Sequence, residues 1–443
     1  MGFFGRKRAP SVPHPRKEPR FDGPLTLERL EQIFQDCVDF TKRPVSLGEG
    51  GACTLTLCYL SGMVKMERVS DYVLRPLAQD GALARCGTPR QAMEEMMGGA
   101  LYNLSAAERT TLDEAAFDLV AGWCLLFFPG ESAVLSLFVG TEEKRSISSP
   151  SNETVLKGSR DAFVESLRTN TSIVRRHLKA PELRIREQVV GRQSVTSVDI
   201  LYIEGLTNPH LVEQVAAQLA DIDIDAVLAT GNIEEYIVPA ARTAFPLVQY
   251  TERSDRFCAG LAEGRVGILI DGLPLGYLAP GVLGDFLQAP QDKSESWLLA
   301  SALTLLRYLC MLGTLLLPAL YVAMVTFHQE MIPTRLALSI IAAKQDVPFR
   351  SVFEVIVLLL AFEILQEAGL RLPQSIGQTV SIIGGLVVGS AAVEAKIISP
   401  AVLIVVAIAG IAGYTMPSQE VAGALRIWRF LLALLAKIGR AHV

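Results

Sequence analysis

The stretch LLASALTLLRYLCMLGTLLLPALYVAMVTF, Leu298 to Phe327, decides the fold class of this chain. It carries a single charged side chain, Arg307, and a single proline, Pro318. As a helix rising ~1.5 Å per residue it would run ~45 Å, longer than the ~30 Å hydrocarbon core of a bilayer. The expectation is a membrane-crossing helix, kinked at Pro318 or with its first turns in the headgroup layer. Downstream, Val352 to Leu365, Ile376 to Val393 and Ile397 to Gly413 read as further spans. Ile332 to Ala343 is too short to cross straight and reads as re-entrant or amphipathic. Ile427 to Ala436 starts another span and then stops.

Upstream of Pro290 the composition is polar and mixed, so the apolar residues are segregated rather than shared out to one core. Half of the 443 residues are hydrophobic and 20% are charged, below the roughly 25% of ordinary soluble proteins. A net charge of −5 argues against nucleic acid as a partner. The first residues run the other way, with Arg6, Lys7, Arg8, Arg16, Lys17 and Arg20 among prolines. No apolar segment follows them, so they are not a secretory signal; they read as a solvated, disordered tail, with contact to anionic lipid as the alternative. The seven cysteines form no C-x-x-C pair, as expected of thiols used as small core residues in a reducing compartment. The histidines are scattered, and no zinc motif, phosphate loop or nucleophile elbow occurs, so neither a metal, a cofactor nor an enzyme is expected.

Within the polar half, Thr26 to Thr41 has helical apolar spacing, Cys53 to Leu60 reads as a strand, Ser61-Gly62 as a turn and Val69 to Leu77 as a helix. Val195 to Ile203, Glu204-Gly205 and a helix opened by Asn208-Pro209 and running to about Leu219 repeat that order. Tyr59-Leu-Ser-Gly62 aligns with Tyr202-Ile-Glu-Gly205, Glu94-Glu95 with Glu234-Glu235, and the glycines of Gly122 to Gly130 with those of Gly264 to Gly272. The offset is about 140 residues each time, which implies two related α/β subdomains. Asp271-Gly272 marks a hairpin turn. Between the subdomains lies a stretch rich in arginine and lysine with one apolar face, Phe163, Leu167, Val174 and Leu178. It reads as a basic helical connector that either bridges the subdomains or meets lipid or an acidic partner, with Arg160, Arg175 and Arg176 as candidate coupling or partner contacts.

Ionisable residues in the apolar half carry the functional signal. A carboxylate at mid-bilayer costs ~2.5–3.5 kcal/mol even on the gentler scale, so Glu354 and Glu363 inside one apolar run require a reason. Together with Glu330 they are candidates for an ion path; pairing with an arginine such as Arg350, or an interfacial position, is the alternative. Gly384, Gly385 and Gly389 are candidates for close helix packing, within one chain or between copies in a homo-oligomer.

Several phrases together resemble the GerA family, the A-type subunits of bacterial spore germination receptors. They are Ser149 to Asn170, Gly264 to Gly272, Leu316 to Ala323, His328-Gln-Glu-Met-Ile-Pro333, Arg371-Leu-Pro-Gln-Ser-Ile-Gly377 and Ser399-Pro-Ala-Val402. The resemblance implies a subunit in the spore inner membrane, partnered by a transporter-like B-type subunit and a C-type lipoprotein. The polar half is expected on the cytoplasmic (spore-core) side. The implied function is to couple nutrient sensing by those partners to ion release, as an oligomeric channel. A non-conducting scaffold and the family branch of the dipicolinate-release system are the alternatives. The expected fold class is an α/β soluble region of two related subdomains followed by an all-α multi-span transmembrane domain. Its divisions are a tail 1–24, subdomains 25–148 and 193–290, a connector 149–192 and the transmembrane helices 297–437. Relative to the family the last helix breaks off at Ala436-Lys437, and 438–443 read as a translated sequencing adapter.

Overall fold

Period-two alternation in Thr54–Leu60 builds the first sheet, because Leu55, Leu57 and Tyr59 turn to one face while Cys58 and Leu60 turn to the other. The computed structural model describes residues 20–47, 54–79, 83, 86, 88–101, 105–140, 153, 159, 161–227, 231–238, 243–371 and 389–437. Its first sheet has strands β1 (Phe40–Ser46), β2 (Thr54–Leu60), β3 (Ala106–Arg109), β4 (Trp123–Phe127) and β5 (Val134–Phe138), in the spatial order β1-β2-β4-β5-β3. Neighbouring strands are antiparallel, with Cys58 opposite Leu125 and Leu126 opposite Leu135. Helices α1 (Leu27–Ile33), α2 (Met66–Val69), α3 (Arg75–Gln79), α4 (Pro89–Glu95) and α5 (Leu112–Val120) cover both faces. The first and last lie over Cys58, Leu60 and Leu125, the other three over Leu55, Leu57 and Leu126.

The second sheet repeats this plan. It holds β6 (Leu183–Val190), β7 (Thr196–Ile203), β8 (Gln249–Thr251), β9 (Val266–Ile270) and β10 (Gly276–Ala279), in the order β6-β7-β9-β10-β8. Its helices are α6 (Leu167–His177), α7 (Pro209–Ala220), α8 (Gly231–Ile237) and α9 (Ser254–Ala262). Gly122 follows α5 at φ 88° and Gly264 follows α9 at φ 87°. Each closes its helix in the left-handed conformation, the N–H of Gly122 donating to Leu119 O and that of Gly264 to Leu261 O. The aligned glycines of the two sequences thus do the same work at the same place.

Two sequence expectations are corrected here. The helix read over Thr26 to Thr41 ends at Ile33, since Asp36 at φ 61° turns the chain out of it. Val38 N then donates to Ile185 O at 3.0 Å and Phe40 pairs with Leu60, so sheet pairing overrides helical spacing. Nor do residues 161–192, the described part of the stretch 149–192 beyond two single positions, form a separate connector. Leu167 and Val174 of α6 are buried in the second sheet's core, and β6 is that sheet's edge strand. Arginines alternate along β6 with buried Leu183 and Ile185; Arg184 pairs with Glu204 and Arg186 with Glu213, which lets a charged pattern form a strand.

Phe163 and Phe257 meet edge to face at 5.3 Å in the same core, and Gly276 leaves them room. A Cβ on Gly276 would fall 2.6 Å from Phe257 Cδ2 and 2.7 Å from Phe163 Cε2. Gly276→Ala should destabilise this subdomain by about 1–3 kcal/mol through overpacking. Faster amide exchange in β9 and β10 is the expected reading, and unchanged exchange would show that the rings yield freely.

The helices from Gly281 onward form a second compact unit: α10 (Leu283–Leu287), α11 (Trp297–Phe327), α12 (Thr334–Lys344), α13 (Ser351–Arg371), α14 (Gly389–Glu394), α15 (Pro400–Gly413) and α16 (Gln419–Leu435). Among the described residues α11 alone is long and apolar enough to cross a membrane, with mean hydropathy 2.0. It packs against α15 and α16, and α13 packs against α15. Thr314 Oγ1 donates to Ala409 O across α11 and α15 at 3.1 Å. Arg307, the charged residue of α11, is neutralised by Asp292, Nη2 to Oδ1 2.9 Å. The apolar helix α15 is shorter, and most of Ile376 to Val393 lies outside the described residues.

Candidate functional site

In an apolar helical unit the groups that demand explanation are the buried ionisable ones. Glu354 sits in the first turn of α13 and is 1% exposed. Its Oε2 accepts from the backbone N–H of Ser399, 2.8 Å away, the residue that opens α15. Lys344 Nζ, at the end of α12, lies 3.4 Å from Oε1 and also donates to Ser351 Oγ. Tyr321 of α11 belongs to the same buried cluster as Val355, Ile398 and Val402, which flank these polar atoms.

Farther along α13, Glu363 has other partners. Arg426 Nη1 is 2.8 Å from it and Arg429 Nη2 3.8 Å, with Arg429 itself buried. Glu330 is exposed on the turn Gln329–Met331 after α11. The three candidate ion-path residues are therefore not gathered within one chain. Two are buried or half-buried and charge-paired, and one faces outward. Gly389 is buried and brings α14 close to α15, since a Cβ there would stand 3.4 Å from Leu403 Cδ1. Gly384 and Gly385 lie outside the described residues.

The candidate contact arginines separate as well. Arg160 lies outside the described residues. Arg175 is 1% exposed and gives both sides of its fork to Asp39, Nε to Oδ2 2.5 Å and Nη2 to Oδ1 2.9 Å. Burial opposes its charge, but the adjacent Asp39 outweighs burial and holds its pKa above the usual range. A surface contact through Arg175 is ruled out by that burial. Arg176 folds back on Ser172, Nη2 to Oγ 3.2 Å.

His177 Nε2 lies 3.1 Å from Ser254 Oγ and 3.5 Å from Asp161 Oδ2. One ring nitrogen faces both partners, whereas a nucleophilic triad uses the two nitrogens separately. Ser254 is also fully buried and donates to Asp161 O, so this is a structural knot. Burial raises the thiols of Cys58, Cys124 and Cys258 to about 12, consistent with inert core residues. Among the described residues no three His, Cys, Asp or Glu side chains gather as metal ligands. Lys344, Ser351, Ser399, Arg426 and Arg429 were not foreseen as site residues. Arg426 and Arg429, three apart beside an apolar run, were the one legible signal.

A model of the Bacillus/Clostridium GerA spore germination protein family matches residues 28–441. The membrane protein YfkQ of Bacillus subtilis (strain 168) is 38% identical over 93% of this chain and 79% of its own length. Spore germination protein KA of the same organism is 36% identical over 90% of this chain and 73% of its own. Among solved structures, the crystal structure of the N-terminal domain of the A subunit of the Bacillus megaterium spore germinant receptor GerK3 aligns with 27% identity and a TM-score of 0.46. It covers 58% of this chain and 94% of that one.

Proposed function

This chain belongs to the GerA family of spore germination proteins, and from that premise we propose that it is the A-type membrane subunit that couples nutrient sensing by partner subunits to ion release. In this reading several copies assemble around a path, with a B-type transporter-like subunit and a C-type lipoprotein as partners. The helices after Gly281 span the spore inner membrane more than once, and the two-sheet region lies on the core side. Glu330, Glu354 and Glu363 are the polar groups assigned to the path. The observation that supports it is the burial of Glu354 in an apolar helical unit, countered by Lys344 from a helix with no buried residue. Such a charge is retained at a cost only where it serves the protein.

The test is reconstitution of the subunit, with its partners, in liposomes. Glu354→Ala or Glu363→Ala is expected to change ion flux by at least ~10-fold, a difference of ~1.4 kcal/mol in the barrier, while the protein still inserts. Wild-type flux in both variants would sink the assignment. A second reading, a scaffold that carries no ions, draws on the pairing of Glu363 with Arg426 inside one chain. Conductance of the wild-type assembly separates the two.

A further inference from the structure

Charge pairing does not exhaust the polar pocket around Glu354. Glu354, Ser399 and Tyr321 are 1%, 1% and 7% exposed. Glu354 Oε1 accepts no hydrogen bond, and Tyr321 Oη and Ser399 Oγ have no partner but each other. Buried polar atoms as a rule find partners, because an unmade bond forfeits the full desolvation cost of the group. Buried oxygens with unused acceptor capacity beside one carboxylate mark a place that accommodates a donor or a cation.

Charge decides between those occupants. Glu354 Oε2 is already used by Ser399 N, and Oε1 faces the Lys344 ammonium at 3.4 Å. That ammonium also reaches Ser351 Oγ. It comes from the last residue of α12, no residue of which is buried, so it enters on a flexible stem from outside. One carboxylate is neutralised by one positive charge, whether tethered or free.

We propose that Glu354, Ser351, Ser399 and Tyr321 form a binding site for a small monovalent cation, and that the Lys344 ammonium is a tethered occupant which such a cation displaces. The donors are all oxygen, which suits an alkali cation. A single carboxylate balances one unit of charge, whereas calcium takes ~6–8 oxygens with several carboxylates among them and magnesium demands a near-ideal octahedron. The backbone fits the same reading. Between α14 and α15 the chain leaves the helix, with Lys396 at φ 54°. Non-helical backbone at membrane depth persists where it is buried in protein or lines a cavity, and interrupted helices supply cation sites in membrane proteins. The site's part in conduction rests on the function proposed above; its ability to bind a cation does not.

The experiment uses the full chain in detergent. Lys344 is acetylated with an amine-reactive ester at constant ionic strength in sodium, potassium or choline chloride, and its labelling is read by mass spectrometry. Sodium or potassium should raise Lys344 labelling at least ~3-fold over choline, since a displaced side chain is an exposed one. In parallel, Lys344→Gln should bind radioactive sodium or rubidium saturably, and adding Glu354→Gln should abolish that binding. Equal Lys344 labelling in all three salts overturns the proposal, as does binding to Lys344→Gln that survives Glu354→Gln. Should Lys344→Gln not fold, the wild-type labelling decides alone. Intact binding without flux would count only against the conduction role.

Discussion

Arg175→Ala should open the seam between the two sheets, with amide protection in β1, α6 and β6 falling by ~100-fold or more. Arg175 of α6 and Asp39, the residue before β1, are 1% and 3% exposed and joined by two hydrogen bonds. Around them Val38 N donates to Ile185 O and Cys37 Sγ to Leu183 O, so the pair sits where the first sheet meets the second. Removing the guanidinium leaves a carboxylate buried without its counter-charge, at a cost of about 3–5 kcal/mol. At ~1.4 kcal/mol per tenfold this is roughly two to three and a half orders of magnitude in local opening. Arg175→Lys should fall between, because an ammonium keeps the charge but not the planar fork. Replacing both partners by apolar residues, Arg175→Met with Asp39→Leu, should recover most of the loss, since neither charge is then stranded. The check is hydrogen–deuterium exchange on the full-length protein. Wild-type protection in Arg175→Ala would mean that the seam is held by packing and backbone bonds alone.

That seam was illegible in the sequence, and the reason is physical. Alternation of Leu55, Leu57 and Tyr59 with Thr56 and Cys58 is local, so β2 could be read directly. The glycine spacing of the two halves is likewise a one-dimensional signal, and Gly122 and Gly264 stand at matching helix ends because a left-handed residue is needed there. Asp39 and Arg175 are distant in sequence, and no periodicity announces which basic residue of a charged helix turns inward. The arginines of α6 and β6 therefore looked like one solvated face, although Arg175 is core and Arg184 nearly so. In the helical unit Glu354 and Glu363 stood out because each interrupts an apolar run. That Lys344, Arg426 and Arg429 pair with them is not readable in the same way, because helix juxtaposition is set by packing rather than by the composition of either helix. Glu330, next to the first span in sequence, lies exposed on a turn.

Lowering the pH from about 8 to 5.5 should stabilise the second sheet, and Asp199 is the group expected to produce the effect. Asp199 is fully buried on β7, directly opposite Glu187 on β6. Burial lifts its carboxyl from 3.8 to about 7; Arg168 opposes the rise, while Glu187, Asp39 and Asp271 add to it. The geometry agrees, since Arg168 Nη1 is 3.3 Å from Oδ2 and Oδ1 has no hydrogen-bond partner. A carboxyl whose folded pKa is raised favours folding in its neutral form. Its contribution is complete below the unfolded value near 3.9 and is lost as pH rises through about 7. A rise of this size corresponds to stability on the order of 4 kcal/mol between the two limits. After correction for intrinsic exchange rates, amide protection in β7 and β9 should therefore fall from pH 5.5 to 8.5 in the wild type. Asp199→Asn keeps the shape and an acceptor for Arg168 but cannot ionise, so its protection should stay flat across that range and exceed wild type above pH ~7. Parallel pH profiles for the two proteins would assign the titration to another group.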